Sequence, residues 1–495
     1  IFSGSPINRT MSSLPCVLAL SAALAVPTPM SYTRSQLEME ITDLPGLPPG
    51  VMFKQFGGYV DVGTHGSIFF WFVESQGTPA TDPVLLWTNG GPGCSGLTGF
   101  MTEMGPFRPT SEGSLEMNPH AWNLAASMVF VEQPVGVGFS VANGVMEYND
   151  TQSAQDNLAF VRGFFDLFPQ YKSNQFFITS ESYGGHYMPT LADAIVTDGG
   201  VPNFGGFLVG NPLTYLLYRN YGEFATYYGH QLLPKPLWDQ YVEANCRSAP
   251  SDDCDDITDA MEKLVGGLDP YALDFPVCSD APLSTGRHER WTLRQALRRA
   301  DRRLRTMWSK GAPPSGAGGR GGVSEYPYFP TDYQPCTADW ATEYLSRADV
   351  IAAIHAKPGG ATWTGNWSAC SDAVGNAYSA DDVAAPMMPV YKKLIAHGGV
   401  RMTIFSGDDD AVCATHGTQE FIWDLGLNVT APWSPWTMDS GPDCPDGPAC
   451  KQVAGYTTRF EGLSLVTVHG AGHLVPATRP ASGLAVLKSY LSGSL

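Results

Sequence analysis

Positive charge is scarce in this 495-residue chain. It has 29 Lys and Arg against 48 Asp and Glu, a formal net charge of −19 at pH 7. That balance excludes nucleic acid as a partner, because its binders present basic surfaces. Ten of the 29 basic residues crowd into Arg287–Arg320, so the remaining surface is more acidic still. Long apolar runs are missing after residue 30, and without one no stable membrane insertion is expected. No H-E-x-x-H pattern occurs, so the helical two-histidine zinc peptidases drop out. His469-x-x-x-His473 beside Asp408–Asp410 keeps the right residue types for a metal, but its glycines oppose a helical ligand pair. No metal and no cofactor are expected.

Hydrophobic residues make up 43% of the chain, ample for a large core. Residues 1–30 read as upstream sequence plus a secretory signal, with an uncharged core over Leu14–Val26 that ends in small residues. A buried N-terminal helix is the other reading of that run. Ten cysteines and the glycosylation signals at Asn149, Asn366 and Asn428 fit a secretory route. With Cys16 assigned to the signal, nine cysteines remain, so at least one thiol is free or paired between chains.

The chain then alternates between strand-like and helix-like runs. Gly58–Val62 and Ser67–Val73 read as a hairpin turning at Gly63–Gly66. Pro83–Trp87, Ser127–Val131, Gln175–Ile178, Gly206–Gly210, Val400–Phe405 and Leu463–Val468 read as short buried strands. A helix opens at Asn149-Asp150, with Leu158, Val161, Phe165 and Phe168 on one face. This rhythm predicts an α/β fold with a largely parallel sheet covered on both faces. It breaks between about Leu213 and Asp349, where an acidic patch (Asp252, Asp253, Asp255, Asp256) reads as a solvated face and Gly311–Gly322 as a linker.

Three strand ends carry chemistry. Ser182 lies in Ser180-Glu181-Ser182-Tyr183-Gly184, the outline of a nucleophile elbow in which Ser180 replaces the first glycine. Taken alone, Ser182 could equally be a polar residue at a helix start. Asp410 follows the Val400–Phe405 strand and His473 follows the last one. The order Ser…Asp…His is that of α/β-hydrolases. A serine hydroxyl needs a neutral imidazole to take its proton, and that imidazole needs an aspartate to fix its tautomer.

Four motifs taken together resemble the serine carboxypeptidases, the group of carboxypeptidase Y, cathepsin A and the plant serine carboxypeptidases. They are Trp87–Gly96, Val131–Ser140, Glu181–Pro189 and Gly470–Pro476, with Ser406–Asp410 as a shorter fifth. The resemblance implies an α/β-hydrolase fold whose core is residues 40–212 and 350–495. Residues 213–349 would be a mainly helical insertion (cap) containing a basic, excisable linker at about 281–325. It implies a peptidase that removes C-terminal residues from peptides and proteins at acidic pH, in the vacuole or lysosome or outside the cell. A homodimer is also compatible with it. Ser182, Asp410 and His473 match the triad, and Gly91 and Tyr183 match the oxyanion-hole donors. Asn89, Gly90, Glu103 and Glu181 match the residues that hold the substrate's terminal carboxylate. Like charges gathered there push a pKa upward, so protonated glutamates would bind that carboxylate best in acid. Two ordinary surface glutamates are the plainer alternative.

The resemblance further implies disulfides Cys94–Cys370, Cys246–Cys254, Cys278–Cys336 and Cys444–Cys450, with Cys413 left as a free thiol near the site. Thr88 and Gly96 depart from the family pattern, as does Ser180, whose bulk is expected to crowd the elbow. Two other functions share these motifs. One is acyl transfer from activated esters, whose enzymes tend to carry aspartate at the position of Glu181. The other is a non-catalytic binding or protective protein on the same fold.

Overall fold

The computed structural model describes residues 30–144, 146–278, 333–439 and 451–494. The signal-like core, the basic linker and the expected Cys444–Cys450 pair lie outside them. Runs rich in Val, Ile, Phe and Trp form the central strands, where such side chains fit a pleated surface buried on both faces, and a more exposed two-stranded ribbon extends the sheet. The strands are β1 (Gln55–Asp61), β2 (Gly66–Val73), β3 (Val84–Thr88), β4 (Ser127–Val131), β5 (Phe176–Glu181), β6 (Phe204–Gly210), β7 (Arg401–Gly407), β8 (Val429–Asp439), β9 (Lys451–Phe460) and β10 (Leu463–Val468). They order as β1-β2-β4-β3-β5-β6-β7-β10-β9-β8 in one sheet.

The sheet is mixed. From β4 to β10 every neighbouring pair is parallel. The β1–β2 hairpin joins β4 antiparallel on one side, and β9 and β8 join β10 antiparallel on the other. The first hairpin turns at Gly63–His65, where its glycines predict a turn. The β8–β9 ribbon leaves little trace in the sequence. Its outer strand is largely exposed and contains Pro432 and Pro435, so it lacks the buried apolar signature of a central strand.

The parallel block explains where a site can form. All its strands point their carboxyl ends at one edge, which gathers the segments after β3, β5, β6, β7 and β10. Helices α1 (Gly96–Thr102), α2 (Asp150–Leu167) and α3 (Gly184–Asp198) follow three of these strands or their loops. Asn149 caps α2, its side chain accepting from the Gln152 N–H at 2.8 Å. From α2 and its end, Phe160, Phe164 and Phe168 pack edge-on against Phe70 of β2.

The described part of 213–349 is helical: α4 (Leu216–Gly229), α5 (Lys235–Glu243), α6 (Asp252–Val265) and α7 (Thr337–Leu345). Phe224, Tyr227, Tyr241 and Met261 form a small core of their own there. Ser251 caps α6, and Asp252, Asp253 and Asp255 occupy its first turn, the end of the helix dipole that favours anions. Three disulfides form as the resemblance implies: Cys94–Cys370, Cys246–Cys254 and Cys278–Cys336.

One buried carboxyl braces the loop after β3. Glu132, at the end of β4, accepts from Ser95 Oγ at 2.6 Å, Trp367 Nε1 at 2.7 Å and the Phe139 N–H at 2.6 Å. Ser95 in turn caps α1 by accepting from the Leu97 N–H at 3.0 Å. Burial pushes the Glu132 carboxyl up to about 7 even though all three donors pull it down. Its proton-bound form thus contributes stability that is fully present below the ordinary value of 4.5 and is lost as pH rises through about 7. Unfolding free energy measured by denaturant titration should fall by ~3 kcal/mol across that window from this group. Glu132→Gln should flatten this slope at lower overall stability, because its amide NH₂ must face the N–H of Trp367 or Phe139. An unchanged slope in the variant would refute the assignment.

Candidate active site

β5 ends in a turn too tight for ordinary backbone. Ser182 has φ 60°, a left-handed conformation that costs a non-glycine residue on the order of 1–3 kcal/mol. Its neighbours hold it there. The Ser182 N–H donates to Gly210 O at 2.9 Å, and its carbonyl accepts from the N–H groups of Gly185 (2.9 Å) and Leu213 (2.8 Å). The crowding expected of Ser180 does not arise. A Cβ at Gly184 would overlap the Ser180 side chain, so the missing side chain at 184 makes room for the extra one at 180. At Gly96, too, the backbone leaves no room for a side chain, since a Cβ there would overlap Val131 O.

His473 and Asp410 meet at the same edge of the sheet. His473 Nδ1 lies 2.7 Å from Asp410 Oδ2, and both side chains are almost fully buried. Asp410 also accepts from the Val412 N–H (2.7 Å), the Cys413 N–H (3.1 Å) and Asn211 Nδ2 (2.9 Å). With those acceptor sites filled, the carboxylate points one lone pair at the imidazole and fixes Nδ1 as its protonated nitrogen. The His473 N–H donates to Tyr271 O at 2.6 Å, and the Tyr271 ring stands edge-on to the imidazole at 5.0 Å. Asp408 accepts from the Gly470 N–H at 2.6 Å and contacts His469 Nδ1 at 2.9 Å, which tethers the histidine loop. Cys413 is buried with its thiol beside the Ser182 hydroxyl, and burial raises its pKa far above the ordinary value, so it stays a neutral thiol.

Ser182 and His473 line a cavity of about 390 Å³ together with Asn89, Gly90, Gly91 and Glu181. The Gly90-Gly91 backbone abuts the elbow closely: a Cβ at Gly90 would sit 2.5 Å from the Tyr183 nitrogen. Neither the Gly91 nor the Tyr183 N–H finds an acceptor among the described residues. Both remain available to a developing oxyanion. The Cys94–Cys370 bridge and the bonds Ser95 N–H to Ala369 O (2.7 Å) and Ser371 N–H to Gly93 O (2.9 Å) pin this loop from its far side.

At one wall of the cavity a single amide joins two carboxyls. Asn89 Nδ2 donates to Glu103 Oε1 at 3.1 Å and to Glu181 Oε1 at 2.8 Å. The amide's orientation is fixed because Asn89 Oδ1 accepts from Trp87 Nε1 and from the Gly99 N–H, each at 2.9 Å. Glu103 and Glu181 are only 1% and 2% exposed, which rules out the reading as ordinary surface glutamates. Glu103 does not line the cavity and is reached through Asn89.

Several supporting residues escape a reading of the sequence. Asp150 accepts from Tyr183 OH (2.9 Å) and Tyr378 OH (2.8 Å) and contacts His186 Nδ1 at 2.9 Å. Burial pushes its carboxyl up, but the His186 ring and the two phenols outweigh that and hold it below the ordinary carboxylate value. Tyr187 OH accepts from the Gly93 N–H at 3.2 Å, linking α3 to the Gly90–Gly96 loop. His186 and Tyr187 sit inside the Glu181–Pro189 motif, which offered a signal. Asp150, Asn211, Tyr271 and Tyr378 offered none, because only the folded chain brings them here.

The serine carboxypeptidase family profile matches residues 45–493. Serine carboxypeptidase 24 of Arabidopsis thaliana is 36% identical over 494 residues, covering 96% of this chain and 97% of that protein. Serine carboxypeptidase-like 26 of Oryza sativa subsp. japonica is 33% identical over 471 residues, covering 92% and 90%. Among solved structures, the prohormone-processing carboxypeptidase KEX1(delta)p of Saccharomyces cerevisiae superposes with a TM-score of 0.70 at 19% identity, covering 92% of this chain and 96% of that one. That likeness carries the α/β-hydrolase fold. The near full-length profile match and the plant relatives carry the rest: the chain belongs to the serine carboxypeptidase family.

Proposed function

We propose that this protein is a serine carboxypeptidase that hydrolyses the last peptide bond of peptides and proteins in acid. The observation that carries the proposal is the Asn89 amide bonded to both Glu103 and Glu181, one wall away from Ser182 and His473. An endopeptidase has no use for a buried carboxyl pair at that wall, where the following residues of its substrate would have to pass. An exopeptidase uses it to grip the terminal carboxylate.

In this mechanism His473 takes the proton of Ser182 as the hydroxyl oxygen attacks the scissile carbonyl. The Gly91 and Tyr183 N–H groups bind the oxyanion, and Asp410 steadies the imidazolium. His473 then protonates the leaving amine, and the C-terminal residue departs as a free amino acid. Water, activated by the same imidazole, releases the acyl group from Ser182. Meanwhile the substrate carboxylate, Glu103 and Glu181 cannot all carry negative charge cheaply in one buried site. A proton held among them turns repulsion into a hydrogen bond. The three disulfides favour an oxidising compartment, and the secretory route to a vacuole, lysosome or the exterior suits an acid-working enzyme.

An N-blocked dipeptide should lose its C-terminal residue at mildly acid pH, and Ser182→Ala should lower kcat by ~10⁶-fold, as in a comparable triad. No release from the wild-type protein, with acyl transfer from a glucose ester instead, would replace the peptidase reading with acyltransferase. Inertness towards both would favour a binding protein. Across pH 5 to 8, KM for the free-acid dipeptide should rise while KM for its C-terminal amide stays nearly level. Parallel profiles for acid and amide would remove the carboxylate-grip argument and leave the triad untouched.

A further inference from the structure

Beyond the peptidase site, a second group of ligating side chains meets where the insertion returns to the sheet. His230 stands at the end of α4, Asp274 lies in the segment that follows α6, and Asp409 follows β7. Their ligating atoms all lie within 4.8 Å of one another. His230 and Asp274 are exposed, whereas Asp409 is 1% exposed. The Asp409 carboxylate uses its two oxygens unequally. Oδ2 accepts from the Asp274 N–H at 3.0 Å. Oδ1 is buried with no hydrogen-bond partner among the described residues and lies 4.0 Å from His230 Nδ1. A buried acceptor left in that state is costly and calls for a partner.

We propose that His230, Asp274 and Asp409 form a binding site for one divalent cation of the zinc class. One imidazole nitrogen and two carboxylate oxygens are a donor set suited to zinc, with a fourth position left for water. A filled tetrahedral site has ligand atoms about 3.3 Å apart, as follows from bonds of ~2.0–2.1 Å. The His230–Asp409 separation is wider, at 4.0 Å, and the exposed His230 and Asp274 side chains can move to close the site. Asp409 supplies the fixed corner, already oriented by the Asp274 N–H.

The site sits on the segment that supports the imidazole. The Ala411 N–H donates to Pro270 O (2.9 Å), the Leu273 N–H to Asp409 O (3.1 Å) and the His473 N–H to Tyr271 O (2.6 Å). A cation bridging α4, this segment and the end of β7 would fasten the Tyr271 carbonyl to the sheet. Its binding would therefore stabilise the folded chain by mass action.

The test uses the full chain, stripped with chelator and dialysed against Zn²⁺ at neutral pH. One equivalent should bind per chain, with a saturating rise in thermal midpoint. His230→Ala and Asp274→Asn each change an exposed side chain, so both variants should fold with the metal-free midpoint of the wild type. Each should lose the bound equivalent and the Zn²⁺-dependent rise. Absence of saturable binding to the wild type, or binding that survives either substitution, would overturn the proposal.

Discussion

Four donors on the Asp410 carboxylate hold the carboxyl edge of the parallel strands together. They come from the end of β6 through Asn211, from the turn after β7 through Val412 and Cys413, and from the loop after β10 through His473. A buried carboxylate survives without a neighbouring cation only when its lone pairs are filled, and here they are. The same bonds set the distance between two parallel strands and the aim of the imidazole. Stability and geometry are therefore one requirement at this point: losing any of the donors leaves a buried carboxylate less satisfied and the imidazole less well aimed.

A comparable economy runs through the loop after β3. The Gly90–Gly96 loop is held by a disulfide, by the Glu132–Ser95 bond, by Tyr187 and by the backbone contact at Gly90. Its donors can thus stay unengaged without the loop collapsing onto them. Preorganisation of this kind is what lets backbone N–H groups stabilise a transition state without reorganising during the reaction. The braces are themselves buried and polar, so the region is rigid in proportion to how completely each brace is satisfied.

The central strands and the turn at Ser182 were legible because parallel sheets leave uninterrupted apolar runs, and because an elbow needs small residues at fixed spacing. Ser182, Asp410 and His473 each stood at the end of such a run. The carboxyl pair was legible only through resemblance, since nothing in the spacing of Glu103 and Glu181 says that one amide joins them. The β8–β9 ribbon was silent because an exposed edge with prolines has no core to advertise. Asp150 looked like a helix cap neighbour and is instead a hub for two tyrosines and a histidine. His230, Asp274 and Asp409 are distant in sequence and share no motif, so only the return of the insertion to the sheet brings them together. Ser180 illustrates the opposite error: its bulk looked harmful until Gly184 was seen to face it.

The bridge between Cys278 and Cys336 spans 58 residues of sequence, and the bridge between Cys94 and Cys370 spans 276. Any cut between residues 278 and 336 leaves Ser182 on one polypeptide and both Asp410 and His473 on the other. Neither piece alone carries all three side chains. Two covalent ties nevertheless keep them in one molecule, so the three side chains stay at intramolecular effective concentration. Such a molecule can be severed without being diluted, and its two halves part only once both ties are reduced.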